Sequence, residues 1–261
     1  MVLKRGSKGA EVKALQKQLL KLGYDLGSTG PDGDGADGDY GQKTESAVKH
    51  FQTFWGFTGA AVNGIADSAT QDRLDRAMRY ISSENKLVKA AANCIGISEP
   101  DGDDGIIRKF ISITGIALSM TSPWCQAFVV VMQHAADLNP YPTASCTAAM
   151  NYYQDAGRWS STPAVGTLVY LDWDLSGDAD HVGIVAERDG GNIYVIEGNS
   201  AGEGEDAVRL KVYSETDKRI RGYAIVDALQ VGTPATFTQA EFDAMMADWL
   251  QRHQLVVNVK S

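Results

Sequence analysis

Cysteine is scarce, with three in 261 residues, too few for the disulfide framework that holds small secreted folds together. Histidine is nearly as scarce: four residues leave few candidates for any imidazole chemistry. Positive charge is in deficit. A formal net charge of -9 argues against nucleic acid as the main partner, because phosphate contacts need a basic face. It argues equally against docking on an anionic membrane by charge alone. No run approaches the roughly 20 apolar residues of a membrane helix, so no stable membrane insertion is expected. The start, Met1-Val-Leu-Lys-Arg-Gly, lacks the apolar stretch of a secretory signal, and none is expected. What remains is an ordinary globular composition, 44% hydrophobic and 22% charged, long enough for one large domain or two average ones.

Residues 1–80 read as three short helices. Val12, Leu15, Leu19, Leu20 and Leu22 follow helical spacing from Ala10, and Gly23 ends the run. Ala47, Val48, Phe51 and Trp55 mark a second helix over 42–55, and Leu74 and Ala77 a third over 68–78. Gly9-x-x-Val12-x-x-Leu15-Gln16 is echoed by Thr44-x-x-Ala47-Val48-x-x-Phe51-Gln52, which suggests a duplicated helical unit. With Gly6, Asp37-Gly38-x-Tyr40-Gly41, Gly64, Thr70 and Leu74, the pattern resembles the three-helix peptidoglycan-binding domain. The resemblance implies peptidoglycan as the partner. The loop 30–39 is longer and more acidic than that family's. Asp32 and Asp34 fit the first positions of an EF-hand Ca²⁺ loop, but Asp37 stands where glycine is required and Lys43 where the closing Glu belongs. A solvated turn-rich loop is therefore expected.

A linker over 81–84 leads to a second domain over 85–230. Helices are expected at 84–95, 104–114, 125–137 and 143–156, followed by strands at 166–172, 181–187, 193–197, 207–213 and 219–226, bounded by Gly, Asp, Asn and Ser. Helices first and an antiparallel sheet afterwards is an α+β order. The tail, 231–261, carries a further helix, with a capping box at Thr238 and Glu241 ahead of Phe242, Met245, Met246 and Trp249.

The sharpest local signal is Ser122-Pro123-Trp124-Cys125-Gln126-Ala127-Phe128-Val129. Proline ends an extended stretch and an apolar helix follows, which puts Cys125 at a helix N-terminus. Orphan amides and the helix dipole there favour an anion, so a thiolate is stabilised, and the same amides suit a tetrahedral oxyanion. Cys94 and Cys146 lie among small and apolar residues and read as buried free thiols. A thiol nucleophile needs a base. His134 is nine residues along the same helix, so it faces the opposite side about 13 Å away. His50 falls in the first domain and His253 in the tail, which leaves His181. Its strand is joined through Arg188-Asp-Gly-Gly-Asn192 to a strand ending Glu197-Gly198-Asn199. A hairpin symmetric about Gly190 puts His181 opposite Asn199 with Glu197 on the same face.

These marks, with Pro163-x-x-Gly166, His181-Val182-Gly183 and Gly222-Tyr223, resemble the CHAP family of cysteine- and histidine-dependent amidohydrolases and peptidases, whose fold is papain-like. The resemblance implies Cys125 as nucleophile, His181 as base, Glu197 as its orienter and Asn199 as a further polar partner. The chemistry so implied requires no metal. Some members hold Ca²⁺ ahead of the cysteine, where this chain has Glu99, Asp101, Asp103 and Asp104. Trp124, Tyr153 and Trp173 are candidates to line a cleft for sugar or stem peptide. The expected function is cleavage of a peptidoglycan amide, muramoyl–alanine or peptidic, at the bacterial wall, reached after lysis in the manner of a phage endolysin or as an exported effector paired with an immunity protein. The alternatives are a non-catalytic wall binder and a thiol transpeptidase.

Overall fold

A computed structural model describes residues 1–98, 114–119, 122–202 and 206–226 and two isolated positions, 240 and 244. The expected helix over 104–114, the acidic residues Glu99 to Asp104 and the tail helix lie outside the described residues, apart from Thr114 and those two positions. The chain divides into two compact units, the first over residues 1–82 and the second beginning at Ser83.

The first unit holds α1 (Ala10–Lys21), α2 (Gln42–Phe54) and α3 (Ser68–Ile81). Val12, Leu15, Leu19, Ala47, Val48, Phe51, Leu74 and Ala77 are buried between them, as helical spacing predicts. The sequence echo has a structural cause. Gln16 and Gln52 are each 1% exposed and share four corresponding bonds. Gln16 Nε2 donates to Asp37 Oδ1, the Asp39 carbonyl and Thr44 Oγ1, while its Oε1 accepts from the Gly38 amide. Gln52 Nε2 donates to Asn63 Oδ1, the Ile65 carbonyl and Thr70 Oγ1, while its Oε1 accepts from the Gly64 amide. Each glutamine thus ties an incoming loop to the next helix's first turn. Gly38 and Gly64 both have positive φ, which glycine alone adopts without strain.

The two loops differ by an insertion in the first, the acidic segment 30–39. Its carboxylates bond both backbone and side chains: Asp34 accepts from the Ala36 amide, Asp37 from the Asp39 amide and the Thr29 hydroxyl, and Asp39 pairs with Lys8 Nζ. Gln52→Ala leaves the buried amide of Gly64 without an acceptor. It is expected to destabilise the first unit by about 3 kcal/mol, given the cost of an unmade buried hydrogen bond, measured as a shift in the urea midpoint.

The second unit begins with α4 (Lys86–Ala92), capped by Asn85, whose side chain accepts from the Val88 amide. Then follow α5 (Cys125–Ala135) and α6 (Cys146–Asp155), the latter capped by Ser145. The strands are β1 (Trp159–Ser160), β2 (Leu168–Leu171), β3 (His181–Asp189), β4 (Asn192–Ser200), β5 (Ala207–Ser214) and β6 (Ile220–Ala224). They form one antiparallel sheet in the order β1-β6-β2-β3-β4-β5. The two-residue strand β1 was not expected. A small helical unit followed by an α+β unit is the architecture the sequence implies. No helix among the described residues is long and apolar enough to cross a membrane.

The β3–β4 hairpin sets the site. Its turn is Gly190-Gly191, both with positive φ, so Asp189 pairs with Asn192. That register is centred half a residue beyond the symmetric one. A bulge between Val185 and Glu187 restores it: past the bulge Val185 pairs with Val195 and Ile184 with Ile196. Glu197 therefore shares a face with Gly183, as expected. α5 packs across β3 and β4, and Gly198 permits the approach. A Cβ there would lie 2.6 Å from Phe128 Cβ and 2.7 Å from the Trp124 ring.

Candidate active site

Cys125 is the first residue of α5, and the cap residue Trp124 supplies no side-chain hydrogen bond to the first turn. The first-turn amides favour an anion at Cys125, whose sulfur the Gln126 amide bonds. Asn199 fixes this helix start. Its Oδ1 accepts from the Trp124 amide at 2.8 Å, and its Nδ2 donates to Asp206 Oδ2 at 3.1 Å. Asn199 adopts φ 52, a left-handed conformation asparagine tolerates, and this turns its side chain toward α5. The expected contact of Asn199 with His181 is therefore corrected: its hydrogen bonds go to Trp124 and Asp206.

His181 opens β3 opposite Leu171. Its Nε2 lies 3.1 Å from Glu197 Oε2. Glu197 is buried and held twice more: the Tyr213 hydroxyl donates to its Oε1 at 2.7 Å, and the Ser200 hydroxyl to its Oε2 at 3.0 Å. Gly183 leaves the room for this carboxylate, since a Cβ there would come within 2.8 Å of Glu197 Cγ. With Nε2 engaged by Glu197, the other ring nitrogen is left for Cys125. Burial opposes charge on His181, but the Glu197 charge and bonds to Cys125 and Glu197 overcome it and push its pKa up to about 10. Burial likewise opposes charge on Glu197, yet the His181 charge and the bonds from His181, Tyr213 and Ser200 hold its pKa below the usual range.

The Cys125 thiol is pulled well below its ordinary pKa. The largest cause is a hydrogen bond from Cys146; burial opposes it, and the bond and charge of His181 and the Gln126 amide add to it. The Cys146 sulfur lies 3.6 Å from that of Cys125. Proximity to Cys125 raises the Cys146 pKa well above normal, with burial adding to the rise. The site therefore favours a thiolate at Cys125 beside an imidazolium at His181, with Cys146 as protonated donor.

The three aromatic candidates separate. Trp124 is 0% exposed and packs edge-on against Phe128. Tyr153 is 2% exposed and donates to Gln133 Oε1 near the far end of α5. Neither ring offers a surface to a substrate, and both belong to the core. Trp173 is 44% exposed, its ring centroid is 5.7 Å from that of His181, and the Arg219 guanidinium covers it at 5.2 Å. The turn carrying Trp173 brings carboxylate oxygens of Asp172, Asp174 and Asp180 within 4.8 Å of one another. They are bonded to the turn itself: Asp172 accepts from Ser176 and Gly177, Asp174 from Ser176, and Asp180 from the Trp173 amide. Cys146, Tyr213 and Ser200 are the members of the site that carry no recognisable sequence motif. A serine cap before Cys146 marks a helix start, but nothing local places that start beside Cys125.

Residues 8–74 match the family described as "Putative peptidoglycan binding domain", and residues 118–199 match the CHAP domain. Both segments thus have the family resemblance read from their motifs. Among curated proteins, the chain is 42% identical over 115 residues to N-acetylmuramoyl-L-alanine amidase CwlL of Bacillus licheniformis, covering 44% of this chain and 29% of that protein. It is 40% identical over 83 residues to type VI secretion system spike protein VgrG3 of Vibrio cholerae serotype O1, covering 29% of this chain and 8% of that protein. The chain therefore spans less than a third of the length of either relative. Among solved structures it is similar to the Burkholderia AP3 phage endolysin, at 27% identity and a TM-score of 0.24, over 39% of this chain and 42% of that one.

Proposed function

We propose that this protein is a peptidoglycan hydrolase in which Cys125 attacks an amide carbonyl of the wall polymer. The carrying observation is the arrangement at the CHAP-matched segment: a thiol at an uncapped helix start, beside an imidazole whose far nitrogen is held 3.1 Å from a buried carboxylate. The Cys125 thiolate adds to the carbonyl carbon, and the α5 amides receive the oxyanion. His181, already protonated, gives its proton to the leaving amine and then takes one from the water that hydrolyses the thioester. Glu197 keeps the imidazole oriented and charged, and Asn199 keeps the helix start in place. Apart from the substrate and water, every group in these steps comes from the chain, and the steps as written use no metal.

The first unit would hold the enzyme on its polymer, converting dilute encounters into local ones. The bond is muramoyl–L-alanine or a peptide bond of the stem or cross-bridge. The name of the Bacillus relative favours the first, and the spike-protein relative favours delivery as an effector, whose producer would need an immunity protein. Incubation of purified sacculi with the protein, followed by mass spectrometry, tests the activity. Soluble fragments with new free amines are expected, and their masses name the bond. No release from walls of several chemotypes would overturn the hydrolase reading, and fragments joined by new peptide bonds would replace it with transpeptidation.

A further inference from the structure

The mechanism above needs one thiol, yet the structure supplies two in contact. Cys125 and Cys146 each begin a helix, both are buried and unbridged, and their sulfurs are 3.6 Å apart. A disulfide requires about 2.05 Å between sulfurs, so closure needs a further approach of about 1.6 Å. The remaining cysteine is different: Cys94 is fully buried, bonded to the Ala90 carbonyl and near Met132 Sδ, with its thiol pushed up by burial.

We propose that Cys125 and Cys146 form a reversible oxidation site for peroxide, in which Cys146 resolves the oxidised nucleophile as a disulfide and so shuts the active site. This rests on Cys125 being the nucleophile of the proposed hydrolase only for its effect on activity; the thiol chemistry stands on the contact itself. In the first step the Cys125 thiolate attacks one peroxide oxygen. The S–O bond forms, the O–O bond breaks, and hydroxide leaves and takes a proton as water. In the second step the Cys146 sulfur attacks the sulfenyl sulfur. The S–S bond forms, the S–O bond breaks, and the departing hydroxide takes the Cys146 proton as a second water. Two thiols lose two electrons and two protons, and one peroxide becomes two waters. A dithiol reverses the bond by exchange.

The contact gives Cys146 a protective role. A sulfenic acid at Cys125 without a neighbouring thiol is oxidised by a second peroxide to sulfinic acid, with loss of one water, and thiols do not reduce that product. With Cys146 in contact, the disulfide intercepts it. Cys94, bonded to the Ala90 carbonyl and near Met132 Sδ, serves as an internal control.

The test uses the full chain exposed to one equivalent of hydrogen peroxide and mapped without reduction. Trypsin leaves Cys125 and Cys146 in one fragment, because no Lys or Arg lies between Lys109 and Arg158. Chymotrypsin, cutting after Phe128, separates them unless they are bridged. The expected result is a fall from three free thiols to the single thiol of Cys94, a bridged pair of peptides, and full recovery of thiols and amine release with dithiothreitol. Cys146→Ser, with Cys146→Ala as a second variant should the hydroxyl disturb packing, should give dimedone-trappable sulfenic acid at Cys125 with one equivalent, and with excess peroxide sulfinic acid and inactivation that dithiothreitol does not reverse. Sulfinic acid at Cys125 of the wild type with Cys146 still free would overturn the proposal, as would a bridge to Cys94. A bridged pair in a protein that releases no amine from sacculi supports the oxidation site and sinks the hydrolase. Amine release without a bridge does the reverse.

Discussion

Cys125→Ala should reduce amine release from sacculi by at least about 10³-fold, with residual catalysis of the kind that binding and an oxyanion site alone provide. Cys125→Ser should fall nearly as far, because a hydroxyl does not ionise beside His181 as the thiol does. The depressed thiol pKa depends on the Cys146 bond and His181, and serine's oxygen would have to lose a proton from a much higher starting point. Co-sedimentation of either variant with sacculi should match the wild type, since the glutamine-tied loops of the first unit are internal to that unit. Rate and retention measured on the same preparation separate the roles. Loss of both would place Cys125 in the fold rather than in the chemistry, and loss of neither would remove it from the site.

How much of this was legible depends on how local each cause is. The helices of the first unit follow from apolar spacing, and their expected ends differ from the observed ones by at most three residues. The echoed Leu15-Gln16 and Phe51-Gln52 were visible as a pattern, but their reason was not. It lies in loop amides that reach each glutamine only after the chain has folded back. The pairing of His181 with Glu197 was legible because side chains alternate along a strand. The assumed hairpin nevertheless had the wrong turn, and a bulge compensates for it. The direction of Asn199 was not legible, because it depends on a positive φ at a strand irregularity. No periodicity encodes that.

Trp124 and Tyr153 show the ambiguity of aromatic residues, which line clefts and fill cores with the same composition. Cys146, Tyr213 and Ser200 were missed for a shared reason. Each matters through a partner fixed only by tertiary structure: a second helix start for Cys146, the neighbouring strand β5 for Tyr213, and a β4 irregularity for Ser200. Read alone, Cys146 was a buried free thiol, and it is one. What sequence could not supply is that its sulfur touches the candidate nucleophile.

The charge on His181 is where these contacts converge, and Glu197→Gln isolates it. In the wild type the carboxylate outweighs burial and holds the imidazole pKa at about 10. With a neutral amide the burial remains and its largest opponent is gone, leaving only Cys125 to favour the charge, so the pKa should fall toward the ordinary value of about 6.5. At neutral pH the imidazole is then uncharged, the Cys125 thiolate loses its counter-ion, and the leaving amine loses its proton donor. Amine release at pH 7 should drop by about 10²-fold or more. The alkaline limit of activity, set in the wild type by His181 near pH 10, should move to acid pH. Tyr213→Phe removes one of the bonds to Glu197 and should shift that limit in the same direction, by less.

Stability gives an independent reading of the same change. Because the folded pKa of His181 is raised, its contribution is complete below about pH 6.5 and is lost as pH rises through about 10. Glu197, with its folded pKa lowered, contributes above its unfolded value and loses that contribution as pH falls through the depressed one. Thermal unfolding of the wild type should therefore weaken at both extremes. In Glu197→Gln the alkaline weakening should vanish and be replaced by destabilisation on acidification, as a buried imidazole without a carboxylate resists its proton. An unchanged alkaline limb in both activity and unfolding would mean that another group, and not the Glu197 carboxylate, holds the charge on His181.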